Sequence, residues 1–456
     1  MKIAIIGAAG LRTPLIVQSI HARRSRLGLD ELALMDIDDQ RLELIGALTT
    51  PLERSPDIKF RILRTTDPIL ALKNADFVIP TFRVGGIESR MIDERVPLNH
   101  GILGQETTGA GGFAMGLRSI PVMLGYVKIM HEVCPDAWLI NFANPAGMLT
   151  EAVIRHKNWT RVVGICDAPT SMHSVIAAIM NAKPEEVYLD YFGLNHLGWI
   201  KRILYRNHDY LPDFLESILS TSSLPGLPFD PQLVYSLGMI PNEYLYYYYY
   251  ANQSVNNILK AGESRGEQVA KLNLHLLNGL KEKFDLQDYT GMQAAYHTYL
   301  NTRGSTYMAR ETGKTHDLSI LEQKIIENMA VEGYAGVALN LIEALTGDKP
   351  TIQILNVANR GAMAKMDKQD VVEIPTLVTH DHIQPMAVGE IPAHCMGLIE
   401  QVKHFEHLTI EAAIEKSYQK ALLALTIHPL VRDYSIATSI LNKYILLHKG
   451  SFPELK

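Results

Sequence analysis

The chain has 456 residues, is 47% hydrophobic and 20% charged, and carries a formal net charge of -6. That acidic balance excludes the basic face a nucleic-acid partner demands. Three widely spaced cysteines, Cys134, Cys166 and Cys395, exclude a disulfide framework and fit a reducing, cytoplasmic setting. There is no run of about 18 apolar residues to span a membrane, and Met-Lys-Ile-Ala-Ile-Ile-Gly is too short an apolar run for a signal peptide.

Lys2 to Ile6 predicts a short buried strand ending at Gly7. Thr13 follows as an expected N-cap, with Pro14 as first helical residue. Such a strand, turn and helix can bring backbone amides close to a pyrophosphate. The G-x-G-x-x-G fingerprint is only partly met, because Ala9 and Arg12 stand at its second and third glycines, so a nucleotide site and a plain tight turn both remain open. A second strand, Leu32 to Met35, ends in Asp36. An acid there can accept hydrogen bonds from a ribose, or it is a solvated turn residue. Asp67-Pro68 opens a short helix, and Phe77 to Phe82 predicts a third strand. In the segment from Glu88 to Arg95, Arg90 and Arg95 flank acids. They read either as surface ion pairs or as a fork for phosphate or carboxylate.

Gly101 to Ser119 is dense in glycine and carries Gln105, Glu106, Thr107 and Thr108. It is expected to cradle something polar, with helical spacing resuming near Ile120. Trp138 to Phe142 predicts another strand, with Asn144 on its C-terminal rim, and Val162 to Ile165 the next. Cys166 and Asp167 then fall at that strand's C-terminal end, where open α/β sheets bind ligands. His196, between Gly193 and Gly198, can fold back onto the same rim. A thiolate and an imidazole together suit a divalent metal of borderline softness; the bland alternative is a buried cysteine and a satisfied histidine. Past Gly198 the alternation fades. Ser223 to Pro231 reads as a loop, Tyr246 to Tyr250 as aromatic packing, and Tyr244, just beyond a proline, as a residue able to face a cleft. Arg265 follows; Met329 to Leu345 reads as a helix and Asp370 to Pro375 as a strand, and Thr409 is expected to cap a helix ending before Pro429. The expected architecture is α/β. It has a Rossmann-like doubly wound parallel sheet over residues 1–198 and a mixed, mainly helical domain over 199–456 that closes the cleft.

Taken together, Gly7 to Pro14, Gly104 to Gly109, Asn141 to Gly147, Cys166-Asp167 and Gly193 to His196 resemble glycoside hydrolase family 4. The likeness runs nearly end to end and includes Asp370 to Pro375 and Ile391 to His394. The resemblance implies an NAD-dependent route outside two-carboxylate glycoside hydrolysis. It places NAD at Ile6, Gly7, Gly10 and Asp36, and Mn2+ or another divalent cation at Cys166 and His196. Arg90 matches the arginine that in the family's 6-phospho-glucosidases receives the sugar 6-phosphate; by position, Arg265 is the second candidate for that phosphate, Asn144 a substrate residue on the rim, Tyr244 the candidate base for the C2 proton and Asp167 the candidate general acid. Within the family the wording is nearest the 6-phospho-β-glucosidases. Asp167, however, stands where those usually carry asparagine, as in the 6-phospho-α-glucosidases, which are the alternative. The implied reaction oxidises the sugar at C3, removes the C2 proton, eliminates the aglycone, adds water and reduces C3 again. The expected substrate is a phosphorylated disaccharide or aryl glucoside, and a homodimer or homotetramer is expected. From another class, an NAD-dependent 2-hydroxy acid dehydrogenase would show net NADH formation and no metal requirement.

Overall fold

Short apolar runs build the centre of the molecule, which is seen in a computed structural model describing residues 1–56, 59–220, 227–313 and 335–456. β1 (Lys2–Ile6), β2 (Glu31–Met35), β3 (Arg61–Thr65), β4 (Phe77–Pro80), β5 (Trp138–Asn141) and β6 (Val162–Gly164) pair in parallel, in the order β6-β5-β4-β1-β2-β3. Parallel strands need both faces covered, and β1 meets that need: Ile3, Ala4, Ile5 and Ile6 are at most 1% exposed. This is the expected doubly wound half, with the order reversing between β1 and β4, where such sheets open a crevice for ligands.

The remaining strands belong to the C-terminal part. β7 (Tyr188–Leu194) and β8 (Leu197–Tyr205) form a hairpin, joined by β9 (His208–Asp209) and β10 (Ile240–Pro241) in a small antiparallel sheet. β11 (Thr351–Ala358), β12 (Val371–Thr379) and β13 (His382–Pro385) then extend the large sheet to nine strands, each antiparallel to its neighbour, with β11 joined to β6 through Asn356 against Gly164. The sheet is therefore mixed, and the strand expected at Asp370 to Pro375 lies largely within β12. A division at 198 would cut through β8.

The helices that matter for the site are α1 (Thr13–Ala22), α2 (Gly86–Leu98), α3 (Gly109–Val133), α4 (Ala146–Lys157), α5 (Asp167–Ile179), α6 (Arg265–Asp285), α7 (Tyr289–Ser305), α8 (Gly336–Thr346), α9 (Ala393–Glu415) and α10 (Tyr418–Ile427). Three local expectations need correction. Thr13 is the first helical residue of α1, and Arg12 occupies the N-cap. Thr409 lies inside α9, where its hydroxyl donates to the Phe405 carbonyl at 2.8 Å. That helix ends at Lys416, φ +57°, and Ser417 caps α10. The glycine-dense stretch is not an open cradle: helix begins at Gly109. A Cβ on Gly111 would lie 2.0 Å from the Gln105 carbonyl oxygen, so glycine there lets the helix press against its own preceding loop. Residues 329–334 and 223–226 of the expected helix and loop lie outside the described residues; α8 supplies the rest of that helix.

α3 is long and apolar enough to cross a bilayer by length and composition, yet 67% of its apolar window is buried inside the fold. α6 and α7 form a second, smaller core with Leu11, Ile45 and Leu48, through Leu276, Leu280, Met292 and Tyr296. The Tyr296 hydroxyl donates to the Leu11 carbonyl at 2.6 Å. The C-terminal half thus reaches back over the β1 turn.

Candidate active site

The turn after β1 is held by its own backbone. The amides of Gly7 and Ala8 both donate to the Met35 carbonyl at 2.9 Å, and that of Gly10 to the Gly7 carbonyl at 3.2 Å. Gly7 has φ +91°, and a Cβ there would lie 2.5 Å from the Phe82 nitrogen, so no other residue fits. Ile6 ends β1, and its carbonyl accepts from the Thr81 amide at 2.7 Å. Asp36 Oδ2 accepts from the Ala9 amide at 2.9 Å. Ile6, Gly7, Gly10 and Asp36 therefore meet around one turn at the point where strand order reverses. The small residues and the start of α1 fit a pyrophosphate, and the carboxylate fits a ribose.

Three segments distant in sequence bring the remaining chemistry to the neighbouring rim. Cys166 follows β6, is 6% exposed and occupies the N-cap of α5, which makes Asp167 the first helical residue. The Cys166 thiol and Asp167 Oδ1 are 4.0 Å apart. His196 is the second residue of the two-residue turn between β7 and β8, with φ +62°. Its Nδ1 lies 2.8 Å from Thr107 Oγ1, which leaves Nε2 for another partner. Tyr244 sits beyond β10, its backbone amide held by the Asn242 side chain at 3.0 Å. Its ring lies flat on the His196 imidazole, centroids 3.6 Å apart and planes 5° apart.

Burial decides the charge states. It pushes the Cys166 thiol well above its ordinary value, helped by Glu373 and Asp167 nearby. It holds the His196 imidazole down at about 3, so the ring is neutral. A neutral nitrogen whose partner atom is fixed by Thr107, beside a thiol that a cation would deprotonate, fits a divalent metal. Burial also raises the Tyr244 phenol well above its usual range, followed by the charges of Glu243, Cys166 and Asp167. That phenol can act as a base only when a cation offsets those acids. Its charge coupling to Cys166 and Asp167 and its stacking on His196 tie the four residues to one locale.

The arginines form a second group. Arg90, 5% exposed on α2, places Nε 2.8 Å from Glu94 Oε1 and Nη1 2.9 Å from Glu106 Oε2. Arg83 pairs with the same Glu106. Arg265 opens α6 and donates to Gln268 Oε1 and Thr306 Oγ1, both at 2.7 Å, and to the Arg303 carbonyl at 2.6 Å. Burial and the neighbouring Arg303 and Arg90 lower its proton affinity, which shows how close the three cations stand. Against the penalty of burial, Arg83, Arg90 and Arg303 hold Glu106 down at about 2. A pocket of crowded guanidinium groups suits a phosphate. Asn144 follows β5, half-buried on the same rim. Arg95 is spent on Glu267 at 2.8 Å and ties α2 to α6.

Sequence reasoning missed Arg303, Glu243, Tyr307 and Glu373. Glu243 is half-buried, its carboxyl pushed up to about 7 by desolvation, and it accepts from the Tyr307 hydroxyl at 2.8 Å; that hydroxyl is 3.4 Å from the Tyr244 hydroxyl. No local pattern marks these positions; adjacency to Tyr244 was the one available signal for Glu243. A different set, Glu151, Asp370 and His407, has ligand atoms within 4.8 Å of one another. Lys403 and Arg155 already lie on those carboxylates at 2.7 Å, so this group is an ion network that fastens α4 and α9 to the start of β12.

Comparison with known proteins bears on the whole length. The description "Family 4 glycosyl hydrolase" matches residues 2–182, and "Family 4 glycosyl hydrolase C-terminal domain" matches residues 191–431. The chain is 33% identical over 465 residues to a probable 6-phospho-beta-glucosidase of Bacillus subtilis (strain 168), covering 100% of this chain and 98% of that one. Its fold matches the 6-phospho-beta glucosidase of Thermotoga maritima, solved with NAD and glucose-6-phosphate, with a TM-score of 0.85 and 28% identity over 100% of both chains. It also matches a 6-phospho-alpha-glucosidase from gut microorganisms, solved with NAD and Mn2+, with a TM-score of 0.79 and 30% identity, covering 100% of this chain and 99% of that one.

Proposed function

The chain belongs to glycosyl hydrolase family 4, and on that footing we propose that it hydrolyses 6-phospho-glucosides with NAD and a divalent cation, the β-anomers first. The observation that carries the reading is the flat stack of Tyr244 on His196, 3.6 Å apart, at the strand rim that also holds Cys166 and Asp167. When bound, NAD supplies reversible hydride acceptance at the sugar's C3, and a divalent cation such as Mn2+ supplies charge beside the C3 oxygen.

The chain's own residues do the rest. Cys166 and His196 hold the cation. Tyr244, its phenol brought down by that charge, takes the C2 proton, which the neighbouring C3 carbonyl makes acidic. Asp167, at the start of α5, protonates the departing glycosidic oxygen. Arg90 and Arg265 bind the 6-phosphate, with Arg303 beside them, and Asn144 orients the sugar. Ile6, Gly7, Gly10 and Asp36 seat the dinucleotide. The substrate is a phosphorylated disaccharide or aryl glucoside, and the working form is a homodimer or homotetramer. The α-anomer is the second reading, because Asp167 stands at the position where the β-specific enzymes usually carry asparagine.

The test compares chromogenic 6-phospho-β- and 6-phospho-α-glucosides and their unphosphorylated forms, with NAD+ and Mn2+ present or withheld. Turnover of the β-phosphoglucoside only when both are present is the expected result. Equal turnover without NAD+, or equal use of the unphosphorylated sugar, overturns the reading.

A further inference from the structure

Beneath the hairpin that carries His196 lies a buried hydrogen-bond network. Its centre is Glu373 on β12, wholly enclosed, as are Tyr191, Asn356 and Asn242 in the same network. Glu373 Oε2 accepts from the Tyr191 hydroxyl at 2.7 Å. Oε1 accepts from Asn195 Nδ2 at 3.2 Å and from Asn356 Nδ2 at 2.9 Å. The Tyr191 hydroxyl in turn accepts from Asn242 Nδ2 at 3.1 Å, and Asn242 Oδ1 accepts from the Tyr244 amide at 3.0 Å.

We propose that Glu373 is a positioning residue that sets the metal-binding histidine and the base together. One arm grips Asn195, the neighbour of His196 in the turn. His196 needs that grip because its backbone, at φ +62°, is in a region bulky residues rarely take. A second arm runs through Tyr191 and Asn242 to the backbone of Tyr244. A third reaches Asn356, which pairs with Gly164, two residues before Cys166. One carboxylate thus fixes three segments that meet only in the folded chain. A glutamate suits this position because its two carboxyl oxygens take all three of the hydrogen bonds that Tyr191, Asn195 and Asn356 donate, and those bonds oppose the burial that pushes its carboxyl up to about 7. Glutamine, of the same shape, would turn one acceptor into a donor facing donors. Outer partners of metal ligands commonly change metal affinity about 10- to 100-fold when altered.

The inference rests on the reading of His196 as a ligand and Tyr244 as the base. Its test is calorimetric titration of Mn2+ into the NAD-loaded protein, with kcat and KM measured beside it. Glu373→Gln is expected to weaken Mn2+ binding at least tenfold and to lower kcat. Tyr191→Phe cuts only the arm to Tyr244, so it lowers kcat and leaves Mn2+ affinity within twofold. Asn195→Ala cuts only the arm to His196, so it weakens Mn2+ binding. The last two variants carry the test by themselves if Glu373→Gln fails to fold. Mn2+ affinity unchanged in Asn195→Ala, or in Glu373→Gln where that variant folds, overturns the inference. Failure of the unaltered protein to bind Mn2+ at all instead overturns the ligand reading on which it rests.

Discussion

Cys166 shows how one residue's environment prepares it for a role it cannot play unaided. Burial keeps the thiol protonated, with Glu373 and Asp167 opposing its ionisation further, so the site is poised for a cation and not for free thiolate chemistry. Cys166→Ser is expected to lower Mn2+-dependent turnover at least 100-fold while NAD+ affinity, followed by nucleotide fluorescence, stays within threefold. His407 makes a second residue-level case. Burial opposes its charge, yet hydrogen bonds to Asp370 and Glu151, each at 2.8 Å, hold it up to about 9. A raised folded-state value means the contribution is complete below about 6.5, the unfolded value, and is lost as pH rises through about 9. Thermal melts should therefore fall between pH 6.5 and 9 by the equivalent of about 2 kcal/mol. His407→Gln should flatten that slope.

Within single elements, α3 gives a paired prediction. Replacing a helical glycine by alanine ordinarily gains about 0.5–1 kcal/mol. Gly125 has nothing within 4 Å of an added Cβ, so Gly125→Ala should raise stability by that amount. A Cβ on Gly111 would lie 2.0 Å from the Gln105 carbonyl oxygen, so Gly111→Ala should cost about 2 kcal/mol instead. Urea midpoints of the two variants, moving in opposite directions, are the measurement. The same contrast shows what sequence could and could not tell. Glycine density between Gly101 and Ser119 was visible, but not what each glycine approaches, and helix ran where a ligand cradle was expected. Strands β1, β2, β4, β5 and β6 were legible because buried parallel strands are short apolar runs ending in turn residues, whereas the edge strand β3, Arg61 to Thr65, was missed because it carries two arginines and is only half-buried. β11 was missed too, since Thr351 to Ala358 mixes polar and apolar residues and finds its partner strand far back in the chain. Cys166, Asp167, His196 and Tyr244 stood out by type and local setting. Glu373 and Arg303 did not, because nothing next to either in sequence reveals the groups they meet.

At the scale of the whole molecule, the two halves share one sheet and one smaller core. The sheet's β6 edge is covered by β11, and the β1 turn is covered by α6 and α7. A fragment of residues 1–205 keeps the nucleotide turn and both proposed metal ligands. It loses the cover of β6, and an uncovered edge is a template for self-association. Light scattering should show that fragment aggregating under conditions in which the full chain stays monodisperse. Bound cofactor should act on the whole fold: saturating NAD+ at a hundred times its dissociation constant adds about 2.7 kcal/mol to stability by mass action.

The antiparallel seam between Gly164 and Asn356 also sets a timetable. At about 5–20 residues per second of synthesis, the strand that closes the seam leaves the ribosome roughly 10–40 seconds after the one it must join. For that interval the nascent chain carries a naked strand edge, and chaperones that shield such edges have their longest work to do on this half-made sheet.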